Sequence, residues 1–182
     1  MRQHFLKDAI IQFRKLKELG VNAVDQVTDD DFFAKLDDES SNIAIILKHM
    51  AGNMRSRWTD FLTSDGEKPD RNRDQEFILK PEDTRTSIMQ KWDDGWKTVF
   101  NAIELLNPED LEKTVFIRCE PHSVINAINR QLTHYAYHVG QIVFLAKHFA
   151  KNNWQSLSIP KGKSEEFNIK MQDDHTGTSP AG

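Results

Sequence analysis

From Ser123 to Ala150 apolar residues recur at steps of three and four: Ile125, Ile128, Leu132, Tyr135, Val139, Ile142, Ala146 and Phe149. That spacing gathers them on one side of an α-helix, whereas a strand would divide them between two faces. A helix of this length is stable only if its stripe is buried against other elements. Three further stretches offer such partners. Residues 2–19 align Phe5, Leu6, Ala9, Ile10, Phe13 and Leu16, with Gly20 as the expected C-terminal cap. Residues 43–62 follow the capping cluster Ser40-Ser41-Asn42 and align Ile43, Ile46, Leu47, Met50, Met54 and Phe61. Residues 81–106 open on Pro81-Glu82-Asp83, suited to a first helical turn, and align Ile88, Trp92, Val99, Phe100, Ile103 and Leu106. Four long amphipathic segments predict an all-α fold, a four-helix bundle.

The connections are more polar. In residues 21–41, Phe32, Phe33 and Leu36 are the expected anchors, and the acidic run at 29–31 suits a helix N-terminal turn or a solvated loop. Residues 63–74, T-S-D-G-E-K-P-D-R-N-R-D, read as a long charged loop exposed to solvent. The other reading of that loop is a lid, with Arg57, Arg71 or Arg73 catching an anionic substrate. The β-branched run T-V-F-I-R-C at 114–119 predicts a short extended piece. After Ala150 the chain becomes irregular, with Trp154, Leu157, Ile159 and Phe167 as docking points. One domain is expected over 1–170 and a disordered tail over 171–182.

Composition narrows the function classes. With 24 basic and 28 acidic side chains the net charge is -4, which disfavours the counterion displacement that nucleic-acid binding needs. No run of about 18 apolar residues suggests a membrane span. The single cysteine, Cys119, leaves no internal disulfide, and the first residues lack the pattern of a secretory leader. A cytoplasmic protein with a small-molecule substrate, and without nucleic-acid or membrane partners, is the resulting expectation. The Gly-Lys-Ser at 162–164 lacks the leading glycine of a phosphate-binding loop and carries no nucleotide site.

One stretch carries chemistry. In T-H-Y-A-Y-H-V-G-Q, His134 and His138 lie four apart, so their rings share a helix face, and Gln141 follows on the same stripe. His49, in the second helical segment, supplies a third imidazole, with Asn53 one turn on. Three neutral imidazoles suit zinc, nickel, iron(II) or cobalt and leave a coordination position open, the arrangement of catalytic rather than structural sites. The same spacing also serves hydrogen-bonded core histidines, and spacing alone leaves both readings open. Cys119 and His122 are three apart, but nothing else in the sequence supports a thiol–imidazole dyad.

The stretches I-A-I-I-L-K-H-M-A-G-N-M-R-S-R-W and L-T-H-Y-A-Y-H-V-G-Q-I resemble those of the DinB-like superfamily of bacterial metal-binding four-helix bundles. The closer resemblance is to a Bacillus-type, DUF1572-like subgroup, through H-M-x-G-N-M, S-R-W-T-D-F-L and D-G-E-K over residues 49–68. The resemblance implies that His49, His134 and His138 are the ligands of a divalent metal, and that the chain forms a homodimer through helix faces. It further implies a thiol S-transferase in which a low-molecular-weight thiol of the bacillithiol or mycothiol type attacks a small electrophile. In that reading Asn53 or Gln141 orients ligands or a bound water, and Arg57 pairs with the thiol's carboxylates. Two alternatives stand beside it: a metal-dependent hydrolase, which lacks an obvious carboxylate base on the histidine stripe, and a non-catalytic metal-bound interaction or stress-response protein.

Overall fold

The computed structural model describes residues 2–176. In chain order the elements are α1 (Arg2–Val24), α2 (Asp29–Phe33), α3 (Ile43–Trp58), α4 (Arg85–Glu104), β1 (Thr114–Ile117), β2 (Glu120–Ser123), α5 (Val124–Ala150) and α6 (Ser164–Thr176). Short 3₁₀ turns punctuate the connections, among them one at Asp74–Phe77. The fold is mostly helical. Helix α3 packs along α4 and α1 along α5, while α3–α5 and α1–α4 contacts close the set around one core. Phe13, Trp92, Trp96 and Tyr135 are fully buried at its centre. Phe13 meets Trp58 edge-on with ring centroids 5.5 Å apart, and Trp96 meets Tyr135 at 5.6 Å. Burying a side chain such as Phe13 contributes about 1.5–3 kcal/mol, so this cluster dominates the packing.

Local chemistry explains the helix starts. Asn42 Oδ1 accepts from the Ile45 amide at 2.9 Å, Thr84 from Ser87 at 3.1 Å, and Ser123 from Asn126 at 3.2 Å. Each such cap is worth about 1 kcal/mol. The acidic residues 29–31 form the first turn of α2, capped by Thr28.

Several boundaries differ from the sequence reading. Helix α1 runs through Gly20 to Val24. That glycine is no cap: it sits under Trp92, where a Cβ would come within 2.9 Å of the ring. Helix α3 stops at Trp58, because Thr59 turns extended and Asp60 is left-handed, with φ 49°. Helix α4 begins after Thr84 rather than at Pro81, since the Thr84–Ser87 capping box provides the stronger start. Leu36, expected in the core, is 42% exposed.

The extended piece at 114–117 is one arm of a hairpin. It pairs antiparallel with β2, Thr114 opposite Ser123 and Ile117 opposite Glu120. The two turn residues, Arg118 and Cys119, both have positive φ, 56° and 63°. Turns of that type usually carry Asn or Gly. Here Asp65 compensates by accepting both turn amides, at 2.8 and 2.7 Å.

The C-terminal extension is not irregular throughout. Helix α6 crosses the expected boundary at 171 and reaches Thr176, with Glu165 and Glu166 in its first turn, where acids favour a helix. Trp154 and Leu157 dock on the core, but Ile159 and Phe167 are exposed instead of anchored. The rest of the expected tail, 177–182, lies outside the described residues. Among those described, no helix is long and apolar enough to cross a membrane.

Candidate metal centre

His49 projects from the middle of α3, and His134 and His138 from successive turns of α5. One ring nitrogen from each lies within 4.8 Å of the others. The Nε2 atoms of His134 and His138 are 3.1 Å apart. Nitrogens sharing one zinc at about 2.0–2.1 Å sit roughly 3–3.5 Å from each other, so this spacing fits a common ion. The His49 ring lies 5.0 Å from that of His138 and 5.6 Å from that of His134, centroid to centroid.

The outer nitrogens determine which edge is free. His49 Nδ1–H donates to Glu76 Oε2 at 2.8 Å, and His138 Nδ1–H donates to Gln141 Oε1 at 2.8 Å. A neutral ring protonated at Nδ1 presents its lone pair at Nε2. Carboxylate and carbonyl partners of this kind orient metal-binding histidines and raise their basicity. His134 Nδ1 is buried without a partner among the described residues. Burial, then repulsion from His138 and His49, pushes the His134 pKa down to about 3. Burial likewise lowers that of His138, against the raising effect of its hydrogen bond to Gln141. Both rings are therefore neutral at pH 7, the state in which imidazole binds a metal.

Glu76, which the sequence reading does not single out, lies just past the charged loop at 63–74; Pro69, Asp70, Asn72, Arg73 and Asp74 are exposed as expected, but Gly66 is buried and the Arg71 side chain turns inward onto Glu76. The carboxylate lies at the bottom of a fork made by Arg71, Nε to Oε1 at 2.8 Å and Nη2 to Oε2 at 3.0 Å. The Arg71 side chain is only 3% exposed. Burial pushes the Glu76 pKa up, but hydrogen bonds from His49 and Arg71 outweigh it and hold the group below the usual carboxylate range. The turn at Asp74–Phe77 also brings the Phe77 ring over His49, centroids 4.7 Å apart. The loop is tied down by Gly66 N–H to Phe116 O at 2.7 Å and by Ser56 Oγ–H to Gly66 O at 2.7 Å. One signal for Glu76 was present in the sequence: Gly52, mid-helix. A Cβ there would run into the Glu76 carboxylate.

The histidines form part of the wall of a cavity of about 890 Å³, shared with Phe77, Tyr137 and Phe144 and with the polar residues Glu39, Arg73 and Gln141. Leu36 belongs to this wall. The Arg73 guanidinium stacks over the Phe77 ring, 4.9 Å from its centroid. Of the other sequence-named residues, Gln141 reaches the centre, as the His138 partner. Asn53 Oδ1 accepts from Tyr135 Oη–H at 3.2 Å, and that Oη accepts from Trp58 Nε1–H at 3.0 Å. Arg57 donates through Nη1 to Gly66 O and to Glu67 at 3.0 Å. Asn53 and Arg57 both border a second cavity behind His134 rather than the first. Cys119 lies exposed in the hairpin turn.

The family model described as "Protein of unknown function (DUF1572)" matches residues 1–163, and the chain belongs to that family. The matched stretch contains the three histidines, Glu76 and Gln141, and stops just before α6. No curated protein matches the chain.

Proposed function

We propose that His49, His134 and His138 hold one divalent transition-metal ion, zinc, nickel or iron(II), in a DinB-like four-helix bundle formed by α1, α3, α4 and α5. We read the chain as a metal-dependent S-transferase that joins a low-molecular-weight thiol of the bacillithiol type to a small electrophile. The observation that carries the metal reading is the convergence of three imidazole edges, two of them held from behind by Glu76 and Gln141, on one cavity wall. When bound, such an ion lowers the pKa of a coordinated thiol or water and so supplies a nucleophile near neutral pH.

The chain's own groups do the rest. Glu76, gripped by Arg71, keeps the His49 ring in one tautomer and one orientation. Gln141 does the same for His138 without adding a negative charge beside the centre. Phe77 and Phe144 give the cavity an apolar side on which an electrophile's hydrocarbon part can lie out of water. Arg73, half-exposed on that wall, is placed to meet an anionic group. A homodimer in the cytoplasm belongs to the same reading.

A second reading, hydrolysis by activated water, draws support from Glu39, a carboxylate on the same cavity wall that could take a proton. One experiment separates the readings. The purified chain is titrated with zinc and with nickel, then assayed for thiol-dependent conjugation of 1-chloro-2,4-dinitrobenzene and for thiol-independent cleavage of a p-nitrophenyl ester. Conjugation that disappears in His138→Ala supports transfer. Ester cleavage without thiol, lost in Glu39→Gln, supports hydrolysis. Metal binding with neither activity leaves a metal-bound interaction protein and overturns the enzymatic proposal.

A further inference from the structure

Four glycines stand inside helices: Gly20 in α1, Gly52 in α3, Gly95 in α4 and Gly140 in α5. A glycine in a helix interior destabilises the helix relative to alanine. Three of the four are explained by close packing. A Cβ would come within 2.9 Å of the Trp92 ring at Gly20, run into the Glu76 carboxylate at Gly52, and lie 3.0 Å from Met54 Sδ at Gly95. A Cβ at Gly140 would meet nothing within 4 Å. No neighbour in the protein excludes a side chain there. Gly140 instead lines the large cavity beside the histidines. Tyr137 and Phe144, three residues before it and four after, line the same cavity and are 63% and 64% exposed. Two large aromatic side chains left in water together on a concave wall mark a binding surface.

The cavity volume, about 890 Å³, is that of a small-molecule pocket, about 300–1,000 Å³, and suits a compact ligand rather than a protein face. At a rise of 1.5 Å per residue, Tyr137 and Phe144 stand about 4.5 and 6 Å along the helix from Gly140. Both spacings fall within the roughly 4.5–7 Å at which aromatic rings pair edge to face. The missing Cβ lets a planar group approach the helix backbone between them. We propose that the Tyr137–Gly140–Phe144 face binds the flat aromatic ring of a small molecule. The ring lies on the backbone at Gly140, flanked by the two side-chain rings, and any side chain at 140 would take its place. In naming the electrophile as aromatic, the inference rests on the proposed S-transfer. The ring site itself needs no ion at the histidines.

The test uses the full chain, treated with EDTA, and two probes of similar outline, benzyl alcohol with a flat ring and cyclohexylmethanol with a puckered one. Binding is followed by amide NMR, with the Gly140 N–H as reporter. The expected result is saturable binding of benzyl alcohol that shifts this resonance, at least threefold tighter than that of cyclohexylmethanol, although the latter is the more apolar. Binding should be at least threefold weaker in Gly140→Ala, fivefold weaker in Phe144→Ser, and absent in Gly140→Leu. Alanine meets no neighbour at 140 and favours the helix, so the thermal unfolding midpoint of Gly140→Ala should equal or exceed the parent's, which shows that lost binding is not lost folding. Equal or tighter binding of cyclohexylmethanol, or undiminished binding in Gly140→Leu, would overturn the proposal. So would a parent dimer that binds neither probe and becomes monomeric in Gly140→Leu, because the face would then be an interface between copies. Zinc affinity is measured on the same samples: ring binding without zinc binding removes the metal centre alone, and zinc binding without ring binding removes this inference alone.

Discussion

Residues 59–84 and 151–176 look alike in sequence: both are charged, polar, and broken by glycine and proline. In the structure they behave oppositely. The first is folded into the protein, with Glu76 and Asp83 buried at 8% and 7% exposure and the Arg71 side chain almost wholly enclosed. The second touches the core through Trp154 and Leu157 near its start, where Gln26 brackets the Gln155 backbone. It then leaves Phe167, Ile169 and Met171 exposed on α6. Composition does not separate the two. What separates them is whether charges leave water: the second segment's Lys163–Glu166 pair stays exposed, whereas the first segment buries Glu76 and Asp83 against fixed partners. Asp83 lies between Lys48 at 2.5 Å and Lys91 at 2.6 Å, and Glu76 lies between Arg71 and His49. A charge removed from water needs such partners, and a charge left in water does not.

The sharpest way to break this contrast is Arg71→Ala. It leaves Glu76 buried with a single partner, and breaking one side of a buried ion pair costs about 3–5 kcal/mol. Urea unfolding should register that loss, and a change under about 1 kcal/mol would mean that the segment is as loosely held as 151–176.

Next in size is Glu76→Gln, which keeps the shape and removes the charge. The expected cost is about 1–3 kcal/mol, together with a 10–100-fold weaker zinc affinity in a competition titration, as for other lost partners of metal-binding histidines. Unchanged affinity would show that His49 is positioned without its carboxylate.

Asp83 supplies the pH dependence. Burial pushes its pKa up, but hydrogen bonds from Lys48, Lys91 and the Lys80 amide outweigh this and hold it well below the ordinary 3.8. A carboxylate depressed in the folded state stabilises above its unfolded pKa, and that stability fades as pH falls below 3.8 toward the folded value. Asp83→Asn should therefore cost about 1–2 kcal/mol at neutral pH and flatten the acid side of the stability curve. A variant that loses stability in acid as steeply as the parent would remove Asp83 from the account. The smallest effect belongs to the other segment. Ending the chain after Pro160 should change stability by less than about 0.5 kcal/mol, as for exposed residues generally.

The same contrast explains what the sequence could disclose. The helices were legible because a stripe at 3.6-residue spacing is a local pattern, visible in Ile128, Leu132, Tyr135 and Val139 without knowledge of what they touch. His134 and His138 were legible for the same reason. Their meeting with His49 needed only the pairing of two helices. Glu76 depends instead on the path of a loop anchored by Gly66 on β1 and by Asp65 on the hairpin turn, contacts far apart in sequence. No periodicity reports such a path. The second strand, E-P-H-S, was hidden because its residues are polar and its pairing is imposed by β1. Gly20 misled because a glycine near a helix end usually marks a cap, while here the space is taken by Trp92.

The central claim is that three imidazoles from two helices share one ion. X-ray absorption spectroscopy at the zinc edge, on the chain loaded with one equivalent of zinc, tests it most directly. The account predicts three imidazole nitrogens at about 2.0–2.1 Å, falling to two in His138→Ala. A first shell without imidazole scattering, or one that His138→Ala leaves unchanged, would contradict it.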